Sequence, residues 1–73
     1  MTLTPRELEA MQHIANGLTR EQAGHAMGIS SRTVNNYASS AMSKLGAQSC
    51  TSAVAMLISR GMIEAPKYSA AIQ

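Results

Sequence analysis

The chain has 73 residues and a mass of 7.7 kDa, which limits it to a single domain. Its one cysteine, Cys50, excludes a disulfide framework within the chain, and two histidines with one thiol are a poor set of metal ligands. Six lysines and arginines stand against four glutamates, and every charge between Gln22 and Ile63 is positive, which is compatible with a polyanionic partner.

The first predicted helix begins at a capping box, Thr4-Pro5-Arg6-Glu7. Thr4 can accept a hydrogen bond from the third helical amide, Glu7 can reach back, and proline is favoured at the first helical position. Gly17 is expected to close the helix. Helical spacing predicts the following inward positions: Leu8, Met11, Ile14, Ala15 and Leu18.

A second capping box, Thr19-Arg20-Glu21-Gln22, predicts a short helix that ends at Gly28, with Ala23, Ala26 and Met27 facing inward. Gly24 falls inside this helix, where glycine costs about 1 kcal/mol relative to alanine. We expect another backbone to approach Gly24 closely, most simply the third helix. The other interpretation is a tolerated surface glycine.

The third helix is predicted to begin after Ser30 as N-cap and to stop at Gly46. Its buried stripe is expected to comprise Val34, Ala38, Ala41 and Leu45. The opposite face carries side chains that are nearly all small and polar: Ser31, Arg32, Asn35, Asn36, Ser39 and Ser43.

The fourth helix is expected to start near Ser49 or Thr51 and to stop at Gly61, with Val54, Leu57 and Ile58 inward. Met62 and Ile63 are expected to fold back over the core. The predicted domain is therefore 1–63, followed by a tail at 64–73.

The fourth helix is apolar on nearly all sides, so it is expected to have a second partner. Small residues beside one methionine would allow a two-fold related helix to approach, which predicts a homodimer interface at Ser52, Ala55, Met56 and Ser59. The other interpretation is that Tyr68 or Ile72 of the tail covers this surface within one monomer.

The segment from Thr19 to Gly46 has the organisation of a helix-turn-helix, in which the second helix, at about 30–46, can enter the major groove of DNA. Asparagine on that helix can pair in bidentate fashion with adenine. The fold class is all-α. Several motifs stand in the order and spacing of a known family: Leu3-Thr4-Pro5-Arg6-Glu7, Gly17-Leu18-Thr19, Met27-Gly28-Ile29-Ser30, Thr33-Val34, Lys44-Leu45-Gly46, Ala53-Val54 and Arg60-Gly61-Met62-Ile63.

In these motifs the chain resembles the LuxR-type (GerE-like) DNA-binding domain, from about Leu3 to Ile63. The resemblance implies a four-helix module of transcription regulators that binds double-stranded DNA as a dimer. The fourth helix would form the contact between the two copies. It implies base contacts by Asn35, Asn36 and Ser39. The phosphate contacts that it implies are Thr19, Arg20, Ser30, Arg32, Thr33, Tyr37 and Lys44. For Asn35 and Asn36 the alternative is solvated helix surface, and for Lys44 it is a role at the helix C-terminus.

The chain departs from the family pattern at Asn35, where lysine is common, and at Cys50, where arginine is usual. Each lost phosphate contact lowers the salt dependence of DNA binding by about one unit of slope. We therefore expect modest affinity, or affinity that needs a dimer.

Two functions follow from these features. The first is a sequence-specific, dimeric DNA-binding transcription regulator with half-sites about 10 bp apart. It would be either a free-standing copy of the module without a regulatory domain, of the kind expected of a phage or accessory regulator, or a fragment excised from a larger regulator. The alternative is a small antagonist that binds and inhibits a larger LuxR-type regulator.

Other classes of function are not expected. The longest apolar run, Ala53 to Ile58, is six residues, far short of a membrane span. Polar residues directly after Met1 predict no secretory signal peptide, and hence a cytoplasmic protein. The sequence shows no nucleophile–base pair and no glycine-rich phosphate loop, so no enzyme, cofactor, metal or small-molecule ligand is expected.

Overall fold

Four helices form the protein in the computed structural model, which describes residues 2–66. They are α1 (Pro5–Ala15), α2 (Arg20–Met27), α3 (Ser31–Leu45) and α4 (Cys50–Ser59). Within residues 2–66 there is no strand, so the predicted all-α fold is confirmed. None of these helices is long and apolar enough to cross a membrane.

The helices begin where their capping residues predict. In the first capping box, Thr4 Oγ1 accepts from the Glu7 amide at 3.1 Å and Glu7 Oε1 accepts from the Thr4 amide at 2.8 Å. The second box, between Thr19 and Gln22, closes in the same way at 3.1 and 2.9 Å. Each box satisfies two backbone donors that a helix start would otherwise leave open.

The predicted ends of α2 and α3 are also confirmed. Gly28 and Gly46 follow these two helices with φ of +72° and +70°. This is the left-handed backbone conformation, which residues with a Cβ rarely adopt. Because both ends are set by local chemistry, the lengths of the two helices in the helix-turn-helix are fixed by the sequence itself.

The core has two clusters of buried residues, and α3 contributes to both. One joins α1, α3 and α4 and is closed by residues before α1 and after α4: Leu3, Met11, Ala38, Ala41, Leu45, Ala53, Leu57 and Ile63. The other joins α1, α2 and α3: Ala10, Ala23, Met27 and Val34. The predicted α3 stripe is thus buried at all four positions, and the opposite side of α3 faces outward.

The inward face of α2 differs from the prediction at one position. Ala23 and Met27 are buried, but Ala26 is exposed. On a helix of 3.6 residues per turn, the buried side of α2 is centred between Ala23, Gly24 and Met27, and Ala26 lies about a quarter turn away from it.

A close backbone approach at Gly24 is confirmed, although the approaching backbone is not that of α3. A Cβ on Gly24 would lie 2.6 Å from the Ile29 carbonyl oxygen and 3.3 Å from that of Ser30. These atoms belong to the turn between α2 and α3, which folds back onto α2 and donates from the Ile29 amide to the Gly24 carbonyl at 2.9 Å. The turn, and with it the start of α3, sits where only glycine leaves room.

After α4 the chain returns to α1. Ile63 is buried in the core as expected, but Met62, which was expected to cover the core as well, is 38% exposed. Gln12 holds the next residue, because its Oε1 accepts from the Glu64 amide and its Nε2 donates to the Glu64 carbonyl, both at 2.8 Å. Tyr68 and Ile72, proposed to cover α4, lie outside the described residues.

Substituting Gln12→Ala should release the segment after α4 and lower the free energy of unfolding by about 1 kcal/mol, because the two exposed hydrogen bonds with Glu64 and a third with Asn16 are lost. Amide hydrogen exchange at Glu64 measures the release directly. Gln12→Glu is the matched variant: it keeps the side-chain length and the acceptor for the Glu64 amide but loses the donor to the Glu64 carbonyl. Unchanged protection of the Glu64 amide in Gln12→Ala would contradict this role.

Candidate nucleic-acid interface

The outward side of α3 forms a continuous polar surface opposite the buried stripe. Its members are all exposed: Ser31, Arg32, Asn35, Asn36, Ser39 and Ser43. No acidic residue lies on it, and an α-helix with its side chains is 10–12 Å across, close to the 12 Å width of the major groove of DNA. We call this set of six residues the α3 outer face.

The three predicted base-contacting residues lie on the α3 outer face. Asn36 and Ser39 make no side-chain hydrogen bond with any other residue in the part of the chain that the structure describes. Asn35 is different, since its Oδ1 accepts from Arg20 Nε at 3.1 Å. Two of the three side chains are thus free to exchange water for a base edge.

The hydroxyl groups predicted to contact phosphate lie at the N-termini of α2 and α3. Thr19 and Ser30 cap these helices and are exposed. Thr33 is half-buried and lies 3.0 Å from Ser30, oxygen to oxygen. Backbone amides at a helix start favour an anion, so the two caps can take part in binding the phosphate backbone.

Two arginines serve the α3 outer face, Arg32 as a member of it and Arg20 beside Asn35, and their side chains differ in freedom. Arg32 is exposed and forms no ion pair or hydrogen bond with another residue among 2–66. Arg20 is half-buried and held, donating from Nη2 to Cys50 Sγ at 3.5 Å in addition to its bond with Asn35. Arg32 is therefore available to a phosphate, whereas Arg20 joins α2 to α3 and α4.

Tyr37, another predicted phosphate contact, is half-buried with its ring against the cluster formed by Ala10, Ala23, Met27 and Val34. Because it is half-buried, only part of the side chain is accessible to a ligand at the surface. The ring helps to fix the orientation of α3 on α1 and α2.

Lys44 is engaged inside the protein. Its Nζ lies 2.8 Å from Glu7 Oε1 and donates to the Thr2 carbonyl at 3.3 Å. Glu7 is only 5% exposed, and its burial raises the pKa of the carboxyl, but hydrogen bonds from Lys44, Ser40 and the Thr4 amide lower it more, from 4.5 to about 2. The Lys44 charge therefore neutralises a buried carboxylate.

Arg6 has a structural role that the sequence reasoning missed. Its Nη2 donates to the Met27 carbonyl at the end of α2 at 3.0 Å, while Nη1 pairs with Glu9 at 2.9 Å. A cation at a helix C-terminus satisfies a free carbonyl and complements the dipole. No local signal in the sequence links Arg6 to Met27, 21 residues later.

Three residues of the predicted dimer surface, Ser52, Ala55 and Ser59, are exposed. Met56 is half-buried and packs partly against the core cluster, while Ala53 and Leu57 are fully buried within that cluster. We call Ser52, Ala55, Met56 and Ser59 the α4 outer face. In residues 2–66, no group of three His, Cys, Asp or Glu side chains is placed to hold a metal ion.

Comparison with known proteins finds relatives among bacterial regulatory proteins. Residues 1–57 match the model of a family described as bacterial regulatory proteins, luxR family. The quorum sensing-dependent transcriptional regulator VjbR of Brucella abortus is 38% identical over 65 residues, which cover 89% of this chain and 25% of VjbR. The spore germination protein GerE of Bacillus subtilis is 36% identical over 62 residues, which cover 85% of this chain and 84% of GerE.

A third relative, the transcriptional regulatory protein YdfI of Bacillus subtilis, is 36% identical over 61 residues, which cover 84% of this chain and 29% of YdfI. The chain thus spans about a quarter of the length of VjbR and YdfI, and most of the length of GerE.

Proposed function

The chain belongs to the LuxR family of bacterial regulatory proteins, and we propose that it is a sequence-specific transcription regulator that binds double-stranded DNA as a dimer. In this proposal α3 lies in the major groove. The observation that carries it is the α3 outer face, which is exposed, free of acidic residues and supported from behind by four buried side chains.

Each part of the surface has a role in this proposal. Asn36 and Ser39, whose side chains have no hydrogen-bond partner among residues 2–66, would contact base edges together with Asn35. Arg32 would bind phosphate, assisted by hydroxyl and amide groups at the starts of α2 and α3. We assign Lys44 to Glu7 rather than to phosphate, because its ammonium already neutralises that carboxylate.

Two substitutions on α3 separate these roles. Arg32→Ala should weaken binding to all sequences alike and lower the slope of log K against log salt by about one. Asn36→Ala should leave that slope unchanged and lose about 1–3 kcal/mol of discrimination at a particular base pair. Fluorescence anisotropy with a selected duplex and its single-base variants, at several salt concentrations, measures both effects.

Ser31→Ala is the control, as it also lies on the exposed part of α3 but has no assigned contact. A change of base preference in Arg32→Ala with the salt slope unaltered would show that the two roles are assigned the wrong way round. Equal losses on all sequences in Asn36→Ala would remove that residue from base recognition.

The α4 outer face is the proposed dimer contact. Its small side chains allow two helices to approach closely, and Met56 provides apolar area at the centre. A dimer would place two copies of α3 on neighbouring half-sites, and the second contact would then form at a high effective concentration.

We expect Met56→Glu to convert the protein to a monomer and to weaken binding to a duplex with two half-sites on the order of 100-fold. A carboxylate placed at the centre of the contact between two helices would lose its hydration there. Gln48→Glu, at an exposed position in the loop before α4, adds the same charge outside the α4 outer face as a control. Mass measurement in solution decides the point, and a Met56→Glu variant that remains dimeric would place the contact elsewhere.

A further inference from the structure

Arg20 and Asn35 form a pair that connects the two helices of the helix-turn-helix. Arg20 Nε donates to Asn35 Oδ1 at 3.1 Å, and Arg20 Nη2 donates to Cys50 Sγ at 3.5 Å. The guanidinium is thus held at both ends, by α3 on one side and by the start of α4 on the other. Its half-burial restricts the positions it can take.

This pairing determines which way the Asn35 amide faces. The Nε–H group of arginine is a donor only, so the atom of Asn35 that meets it must be the oxygen. The Nδ2 group then remains free to donate toward the solvent side of α3, where Asn35 is exposed. Asn36 has no such partner in the described part of the chain, and its amide can present either atom.

We infer that Arg20 is a positioning residue for base recognition, holding Asn35 as a hydrogen-bond donor to the major groove. The inference rests on the proposed function and makes it more specific. The acceptors that the major groove presents are N7 and O6 of guanine, O4 of thymine and N7 of adenine. The bond from Arg20 uses one of the two lone pairs of Asn35 Oδ1, so the other can still accept from adenine N6 in a bidentate contact.

The base contacted by Asn35 Nδ2 should therefore present an acceptor, as guanine, thymine and adenine do, and cytosine, which presents only a donor, should be rejected. Asn36, whose amide is not held, has no such restriction, because it can turn its oxygen toward a donor.

A simple phosphate contact by Arg20 would need only its charge, and Arg20→Lys separates the two roles. Lysine keeps the charge but has a methylene group, Cε, at the place of arginine Nε, opposite Asn35 Oδ1. A positioning role predicts that Arg20→Lys lowers discrimination at one base pair about fivefold, the effect of one hydrogen bond, while the salt slope stays the same. A phosphate role predicts unchanged discrimination.

The experiment compares the unaltered protein, Arg20→Lys, Asn35→Ala and the double variant on a selected duplex and its single-base variants. The inference expects that Arg20→Lys changes preference only at the base pair affected by Asn35→Ala, and that it has no further effect on preference in the Asn35→Ala background. Circular dichroism verifies that each variant is folded. In the free protein, NMR should show slow exchange of the Arg20 Nε proton, which Asn35→Ala accelerates.

Selective binding by the unaltered protein with the same preference in Arg20→Lys would overturn this inference and leave the proposed function intact. If the unaltered, folded protein bound no DNA sequence selectively, that result would overturn the proposed function and, with it, the role of Arg20 in specificity. An Arg20 Nε proton that exchanges equally fast with and without Asn35 would overturn the pairing itself.

Discussion

Substituting Lys44→Met should lower the free energy of unfolding by about 3 kcal/mol, because it leaves the buried Glu7 carboxylate without its cation. For a domain of this size such a loss is a large part of the total stability, so a substantial fraction of the variant should be unfolded at 37 °C. Methionine has nearly the length of lysine, and this isolates the charge from the packing. Urea unfolding followed by circular dichroism measures the change.

The exposed pair of Arg6 and Glu9 provides the control, since removing a solvated ion pair by Glu9→Gln should cost no more than about 0.5 kcal/mol. Adding Glu7→Gln to Lys44→Met should recover part of the lost stability, because no buried charge then remains. A Lys44→Met variant as stable as the unaltered protein would show that Glu7 does not need this partner.

The same pair predicts how stability depends on pH. Burial raises the pKa of the Glu7 carboxyl, but the hydrogen bonds that the carboxyl accepts have the larger effect. The net result is that the pKa falls from 4.5 to about 2. The folded state therefore binds this proton less readily than the unfolded chain, so the contribution to stability is present above pH 4.5 and is lost as the pH falls toward 2. After allowance for the solvent that reaches Lys44, this contribution of Glu7 to the free energy of unfolding amounts to about 2 kcal/mol. Urea unfolding at pH 7, 4 and 2.5 should show that the contribution disappears at low pH, and the pH dependence should be weaker in Lys44→Met.

Substituting Gly24→Ala should be the second severe change, with a loss of about 2 kcal/mol even though alanine favours helices more than glycine does. The added Cβ would lie 2.6 Å from the Ile29 carbonyl oxygen, which is backbone and cannot move alone. The turn that begins α3 must shift, so the angle between α2 and α3 changes. Molecules that remain folded should bind DNA less tightly because the α3 outer face no longer fits the groove in the same position.

Ala26→Gly, at an exposed position of the same helix, measures the helix propensity term on its own and should cost about 1 kcal/mol. The sum of the two losses gives the steric cost at Gly24, because alanine at position 24 gains the helix propensity that Ala26→Gly loses. If Gly24→Ala were more stable than the unaltered protein, the turn would have room to move, and Gly24 would not control the position of α3.

Features that depend on neighbours in sequence were predicted well. Both capping boxes, the N-cap at Ser30 and the left-handed glycines after α2 and α3 act within a few residues, so the sequence contains the whole interaction. The buried stripe of α3 was also correct, because a helix of 15 residues shows its period clearly. In α2, with eight residues, the period was too short to place Ala26.

Contacts between distant residues could not be predicted in the same way. Lys44 and Glu7 are 37 positions apart, and Arg20 and Asn35 are 15 apart. The sequence shows which residues carry charge, but the helix crossing decides which charges meet. The sequence therefore predicts a phosphate contact or a role at the helix C-terminus for Lys44, although Lys44 neutralises a buried acid, and it predicts a phosphate contact for Arg20 without the link to Asn35. The base, phosphate and dimer contacts remain predictions.

Selection from a pool of randomised DNA duplexes, at two salt concentrations and with the protein's mass measured in solution, tests the central claim most directly. Our account predicts a dimer that enriches a two-fold symmetric site with half-sites about 10 bp apart and binds it less tightly as the salt concentration rises. A folded protein that enriches no sequence above the starting pool at either salt concentration would contradict it.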